Sequence, residues 1–331
     1  CRRWRPASAD SRPRGRHPPG GVGSLTAAFV DEACRRDRRP KSISVSCFEV
    51  DPVMRSHLEV VLELCRERCA AVGIPFESEV LAQDFIEAGA ERISPALYGE
   101  RGAKRFTAAI QNPPYRKINS NSRERELLRN VGIETSNLYS AFVSLALKLL
   151  EPGGQLVAIT PRSFCSGPYF RPFRRILLRE GSLRRIHVFD TRDRAFGEDD
   201  VLQENMIVQV VRGAPPSDVE VSTSESPESE ITKRILPHSV VVHPDDPEHF
   251  VHVVSSTADS IAADRIRSLP CDLKDLGLEV STGRVVDFRA REHIMDSPSP
   301  TGAPLIYPMH FEQGFVRWPK PTGRKPNAIV D

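Results

Sequence analysis

Phe106-Thr107-Ala108-Ala109-Ile110-Gln111-Asn112-Pro113-Pro114-Tyr115 is the stretch whose reading decides the fold. Its first six residues predict a short buried strand, and the prolines predict a rigid turn at its end. Two consecutive prolines hold φ at about −65° and remove two backbone donors, so the Pro113 carbonyl keeps a set direction with no amide competing for it. The stretch therefore offers acceptors and no strong acid. Asn112 adds a side-chain carbonyl and Tyr115 an aromatic face, a combination suited to a planar ring that carries an exocyclic amine.

The amine of adenine is a poor nucleophile because its lone pair is delocalised into the ring. Two fixed acceptors on its hydrogens favour the pyramidal, electron-rich form, and such dipoles contribute to rate because the charge they meet develops only in the transition state. Taken alone, the same four residues can also be a proline turn that closes a strand. The flanking sequence has to decide.

Upstream, Gly20-Gly21-Val22-Gly23-Ser24 precedes a helix with Leu25, Ala28 and Phe29 at helical spacing, and glycines ahead of a helix N-terminus allow close backbone approach to a ligand. Ile43 to Phe48 alternates as a strand and ends at Glu49, where an acidic side chain can hold ribose hydroxyls or simply face solvent. A helix from about Pro52 to Val72 follows, with Met54, Leu58, Val61, Leu62 and Cys65 on one face. A strand near Glu77 to Leu81 then leads into Gln83-Asp84-Phe85, an acid and an aromatic that can grip a purine's edge and face. This alternation predicts an α/β fold with a doubly wound, mostly parallel sheet, whose ligands sit at the carboxyl ends of the strands. Gly20 to Gly23, Glu49, Asp84 and Asn112 all fall at that edge.

Downstream, residues 116 to 130 are basic and polar and read as a solvated loop, or as a phosphate contact through Arg116 and Lys117. Asn137 to Leu150 predicts an amphipathic helix ended by Gly153-Gly154, and Gln155 to Thr160 the next strand. Pro161-Arg162-Ser163-Phe164 turns toward a further helix ending near Glu180. Ile186 to Asp190 and Asn205 to Val211 are the last strands of this part, with Phe196 in the turn between them. Pro215 to Glu230 is rich in Ser, Pro and Glu and reads as a surface excursion or linker. His249-Phe250-Val251-His252 alternates as a strand would, which separates its two histidines and offers no metal constellation.

With 331 residues, 39% hydrophobic and 27% charged, the composition is that of an ordinary water-soluble protein able to bury one large core or two domains. The longest apolar stretch, residues 138 to 150, is interrupted by Ser144 and Lys148 and falls short of a bilayer span. A net charge of +2 neither supports nor excludes a nucleic acid. Seven cysteines without a Cys-x-x-Cys pair read as free thiols in a reducing cytoplasm. Residues 1 to 19, with six arginines and several prolines, read as a disordered or non-native leader.

Taken together, Asn112-Pro113-Pro114-Tyr115, Asn137-Leu138-Tyr139, Leu149-Leu150-Glu151-Pro152-Gly153-Gly154 and Phe196 give a chain that resembles the gamma-class N6-adenine DNA methyltransferases of bacterial restriction-modification systems, over about residues 20 to 212. The resemblance implies a class I, Rossmann-like domain over residues 20–213 that uses S-adenosyl-L-methionine, with linker and accessory elements over 214–259 and part of a target-recognition region over 260–331. It implies that Gly20, Gly21 and Gly23 lie against the methionine part of the cofactor, Glu49 binds its ribose, and Asp84 and Phe85 bind its adenine. Asn112 and Pro113, with Pro114, would form the catalytic turn. Tyr115 and Phe196 would stack on an adenine flipped from the duplex, at a cost of a few kcal/mol partly offset by about 1–3 kcal/mol of stacking. Arg116, Lys117 and Arg162 would contact the DNA. Implied partners are double-stranded DNA and a restriction endonuclease or fused nuclease part; the implied location is the cytoplasm, at the nucleoid, without a membrane or a metal.

Two features depart from that family. Its glycine motif follows a strand and an Asp before Pro, whereas His17-Pro18-Pro19 precedes Gly20 here, so the central first strand is expected to be missing and cofactor binding by the chain weak. The sequence also stops at Asp331, where a recognition domain is expected to continue. Three rival readings share the motif: a glutamine-directed protein methyltransferase, an N4-cytosine methyltransferase, and an inactive remnant that at most binds DNA. The long tail disfavours the first, and Asn112 in place of Ser the second.

Overall fold

The computed structural model describes residues 23–94, 105–189, 205–226, 229–254, 257–271, 273–279, 285–286, 289–320 and 325–330. Gly20, Gly21, Phe196 and the leader over residues 1–19 lie outside the described residues. The chain divides into two compact units, residues 1–263 and 264–331.

The first unit begins with helix α1 (Ser24–Arg35), strand β1 (Ile43–Phe48), α2 (Pro52–Ala70), β2 (Phe76–Leu81), α3 (Phe85–Ile93) and β3 (Phe106–Gln111). α4 (Arg123–Asn130), α5 (Leu138–Leu149), β4 (Leu150–Pro161), α6 (Arg171–Glu180), β5 (Gly181–Phe189), β6 (Asn205–Arg212), β7 (Val219–Ser224) and β8 (Thr232–Leu236) follow. β1 falls where the alternation of Ile43, Val45 and Cys47 puts it, and β3 where an apolar run meets the Asn112-Pro113 turn. β3 is not the buried strand that the run predicts, because only one of its edges is paired among the described residues. α2 starts at the Asp51-Pro52 pair: the Asp51 carboxylate accepts from the amides of Val53 and Met54, and Pro52 occupies the first helical position, where its missing N–H costs nothing.

β1 and β2 pair in parallel as a two-stranded sheet, and a six-stranded sheet runs β3-β4-β6-β5-β7-β8. Within it β3, β4, β5 and β7 point one way, while β6 and β8 run against them. The direction is thus mostly parallel, as the alternation predicts; the exceptions are β6, inserted between β4 and β5, and β8 at the edge. Among the described residues no strand pairs with the second edge of β1 or of β3. β3 accordingly leaves Thr107, Ala108 and Ile110 exposed, whereas Leu156, Ala158, Val208 and Val210 on its inner neighbours are buried. Val30, Cys34, Leu58, Leu62, Cys65 and Phe76 form the core of the β1-β2 layer, and α5 and α6 cover one face of the larger sheet with Val143, Leu147, Phe173 and Leu177.

Several local readings change. α1 turns Val30, Ala33 and Cys34 inward and leaves Ala28 and Phe29 exposed, one residue out of phase with the sequence reading. α5 ends at Leu149, before Gly153-Gly154; Gly153, at φ +82°, lies in the irregular start of β4, where pairing with β3 shifts register. The Ser-rich stretch read as a surface excursion contains β7, with Val219 and Val221 buried against β5; the valines alternate only about Glu220 before Ser222-Thr223-Ser224 follows, so composition hides the period. His249 to His252 is not a strand: His249 has φ +54°, and Asp246 accepts from the Glu248 and Phe250 amides, which bends the segment into a turn. Residues 123–130 of the basic stretch are helical, with Leu128 buried.

The second unit contains a three-stranded sheet of two-residue strands, Ile294–Met295, Ala303–Pro304 and Ala328–Ile329, and a hairpin joining Phe311–Glu312 to Phe315–Val316. Buried His310 and Asn327 pair at 3.0 Å, and the Trp318 indole donates to the Asn327 carbonyl at 2.6 Å. No helix among the described residues is long and apolar enough to cross a membrane.

Candidate active site

Asn112 begins where β3 stops, one residue beyond Gln111, which lies opposite Ala158 of β4. Pro113 is buried, and Asn112 and Pro114 are exposed. The two intervening prolines hold the loop stiff, and across it the Tyr115 hydroxyl donates to Asn112 Oδ1 at 3.1 Å. Tyr115 is half-buried, and loss of hydration pushes its phenol up to about 12.

Segments separated by some 20 residues in sequence are sewn together here. The Leu138 amide donates to the Arg116 carbonyl at 2.9 Å and the Ile118 amide to the Ser136 carbonyl at 2.8 Å, so α5 starts beside Tyr115. Tyr139, in the first turn of α5, sets its ring edge-on to Tyr115 at 6.0 Å and 89°. It is itself packed between Phe170 and Phe173, at 5.5 and 6.2 Å. The loop that carries Phe164 and Gly167 is tied down by Arg174, a fully buried guanidinium that donates to the carbonyls of Phe164 (2.9 Å), Gly167 (2.8 Å) and Glu248 (2.9 Å) and lies 4.9 Å from the Phe250 ring centre. Burial lowers the Arg174 pKa from its ordinary value, and Glu248 opposes the shift. Sequence reasoning missed Arg174; its signal is a cation on the apolar face of a helix, among Phe173, Ile176 and Leu177.

The other half of the site lies at the carboxyl ends of β1 and β2. Gly23 precedes α1 with φ +77°, and a Cβ there would stand 2.9 Å from Val61 Cγ1, so only glycine fits this turn without strain. Glu49 is half-buried just after β1, with one carboxylate oxygen accepting from the Asp51 amide at 2.9 Å. Asp84 caps α3: Oδ1 accepts from the amides of Ile86 and Glu87 at 2.8 and 3.2 Å. Phe85 packs on Phe48 at 5.2 Å and on Phe142 at 5.0 Å, with the Arg92 guanidinium 5.0 Å from the Phe48 ring centre. Phe142 of α5 is half-buried, packed between the Phe85 ring and the core formed by Ile86, Leu138 and Leu145.

Tyr139 and Phe142 are three apart on α5 and therefore share a face, one turn from each other. A single helical turn thus touches Tyr115 of the Asn112 loop and Phe85 of the Asp84 loop. Of the expected residues, the structure places Asn112, Pro113, Pro114 and Tyr115 in one loop and Glu49, Asp84 and Phe85 at the carboxyl ends of β1 and β2, while Gly23 packs against Leu58 and Val61 of α2. Among the basic candidates Arg116 and Lys117 are exposed directly after Tyr115, and Arg162 is half-buried after β4. Arg123 pairs with Glu87, and Arg125 and Arg129 both pair with Glu134.

Residues 74–196 match the family model of the Eco57I restriction-modification methylase. Type II methyltransferase M.PstI of Providencia stuartii is 44% identical over 312 residues, 94% of this chain and 60% of that protein. Type II methyltransferase M.BsuBI of Bacillus subtilis is 39% identical over the same shares. A structure from a type I R-M system aligns with a TM-score of 0.49 at 15% identity, over 75% of this chain and 57% of the other. The chain spans about 60% of the length of the two type II relatives. Along 94% of its length, then, the chain is a homologue of these type II methyltransferases, and residues 74–196 belong with the Eco57I restriction-modification methylases.

Proposed function

We propose that this protein methylates DNA at N6 of an adenine turned out of the duplex, with S-adenosylmethionine as methyl donor. The observation that carries the reading is the Asn112 loop: a side-chain carbonyl and a buried proline with no competing amide stand at the carboxyl end of β3, and an aromatic ring three residues on is held by α5. Asn112 Oδ1 and the Pro113 carbonyl accept from the two amine hydrogens and raise the nitrogen's electron density as its bond to carbon forms. Tyr115, and Phe196 by its resemblance, stack on the extruded ring. Arg116, Lys117 and Arg162 contact the adjoining phosphates.

The residues at the other half fit the methyl donor. A half-buried carboxylate at Glu49 and Asp84 beside the half-buried Phe85 suit, in order, a ribose and a purine, and by the resemblance Gly20, Gly21 and Gly23 lie against the methionine part. When bound, S-adenosylmethionine supplies an electrophilic methyl group. Phe142 joins Phe85 as a second apolar wall for the purine. The relatives' place in restriction-modification systems supports a cytoplasmic protein working on duplex DNA beside a partner endonuclease. The test is incubation of the full chain with unmodified DNA and methyl-labelled cofactor, followed by digestion to nucleosides and mass spectrometry. N6-methyl-2′-deoxyadenosine is the expected product; label in N4-methyl-2′-deoxycytidine, or label transferred to protein and not to DNA, would overturn the assignment.

A further inference from the structure

We infer that the Tyr115 hydroxyl, separately from its ring, is a positioning group that fixes which end of the Asn112 amide faces the reacting amine. This inference rests on the function proposed above. An asparagine amide is a hazard in such a site, because a half-turn about its last bond replaces an acceptor by a donor of nearly the same shape. An amine offered Nδ2 in place of Oδ1 would meet hydrogens and lose the electron donation that makes it reactive. The residue thus needs something that distinguishes the two ends.

Tyr115 supplies it. Its hydroxyl donates to Asn112 Oδ1 at 3.1 Å. A phenol is a good donor and a weak acceptor, since its oxygen lone pair is conjugated with the ring, so it selects the carbonyl end of the amide. The carbonyl has two lone pairs; one takes the phenol, and the other stays open to the substrate. Pro113 and Pro114, between the two residues, have no N–H to compete for Oδ1 and fix the backbone across which the bond is made. The aim of the hydroxyl is set from behind, because the Tyr115 ring stands edge-on to Tyr139, and Tyr139 is buried against Phe170 and Phe173. Burial of Tyr115 keeps the phenol protonated, and hence a donor, throughout the pH range in which the protein would work.

Tyr115→Phe separates the hydroxyl from the ring. In the full chain, with labelled S-adenosylmethionine and unmodified DNA, this variant is expected to lower kcat about tenfold, the equivalent of one neutral hydrogen bond, while KM for DNA stays within about threefold. Tyr115→Ala, which also removes the stacking surface, is expected to raise KM for DNA as well. A Tyr115→Phe variant with kcat within twofold of the parent, or with its whole loss in KM, would overturn the inference. Asn112→Ala in the same assay distinguishes this failure from failure of the proposed function, which falls if that variant keeps the parent rate. A neutron crystal structure of Tyr115→Phe, which shows the amide hydrogens and so tells the two ends apart, gives a reading independent of turnover: the Asn112 amide should lose its single orientation, and an amide held as in the parent would refute the role.

Discussion

Asn112 contributes one neutral acceptor and makes no contact that the fold depends on; its side chain is exposed and bonds only Tyr115 among the described residues. Asn112→Ala is therefore expected to reduce methyl transfer by about 100- to 1000-fold, the cost of one preorganised dipole at a reacting centre, and to leave S-adenosylmethionine affinity within a few-fold. Transfer at near the parent rate in a labelled-methyl assay would remove Asn112 from the chemistry. A second expectation follows from burial. The Tyr115 phenol and the Cys165 thiol are both raised to about 12 by desolvation, from ordinary values of 10.0 and 9.0. Because the folded state holds these protons more tightly than the unfolded chain does, their contribution to stability is complete below the unfolded values and is lost as pH rises toward 12. Circular dichroism against pH should show an alkaline transition that Tyr115→Phe, by deleting one of these groups, moves upward. A transition unmoved, or moved down, would show that Tyr115 is not titrating with unfolding.

Among the elements, α3 is where structural and functional duties overlap. Asp84 satisfies two amides at the helix start, so its presence is explained without any ligand. Its second carboxylate oxygen is what the cofactor reading needs. Asp84→Asn discriminates, since asparagine is as good an N-cap as aspartate but carries no charge. Unfolding free energy should change by less than about 0.5 kcal/mol, against about 1 kcal/mol for Asp84→Ala, while cofactor affinity measured by calorimetry should fall in both variants. Parent affinity in Asp84→Asn would leave Asp84 as a cap alone. α5 has the opposite character: its sequence shows an inward apolar face, but its role comes from which two loops Tyr139 and Phe142 meet on either side of one turn.

The whole sheet system is unevenly enclosed. β4 and β6 are paired on both edges and packed with buried residues, whereas β1 and β3 are each paired on one edge among the described residues. Strands paired on one side open by local fluctuation at much lower free energy than those whose ladders are shared. Hydrogen exchange should therefore protect the amides of β4 and β6 by on the order of 100-fold or more over the amides of β1 and β3 that point away from their partners. Equal protection in β1 and β3 would mean that another segment is hydrogen-bonded to their open edges. The Asn112 loop hangs on β3, so any such segment would also stiffen Asn112.

Reading residue by residue determined a good deal here. The boundaries of β1 and β3, the proline-stiffened loop at Asn112 and the presence of a helix before β4 follow from period and turn chemistry, which are local and so survive in a one-dimensional string. The phase of α1, the strand hidden in the Ser-rich stretch at Val219 to Ser224, and the turn at His249 were decided otherwise, because each depends on a neighbour: α2 for α1, β5 for β7, and the Asp246 carboxylate for the turn. The site divides in the same way. Asn112, Tyr115, Glu49 and Asp84 are legible as residue types at strand ends, but that Tyr115 bonds Asn112, that Tyr139 backs Tyr115, and that Arg174 anchors the loop behind them are facts of long-range packing. Sequence specifies which groups are available; only the folded chain, by burying some and pairing others, decides which of them face one another.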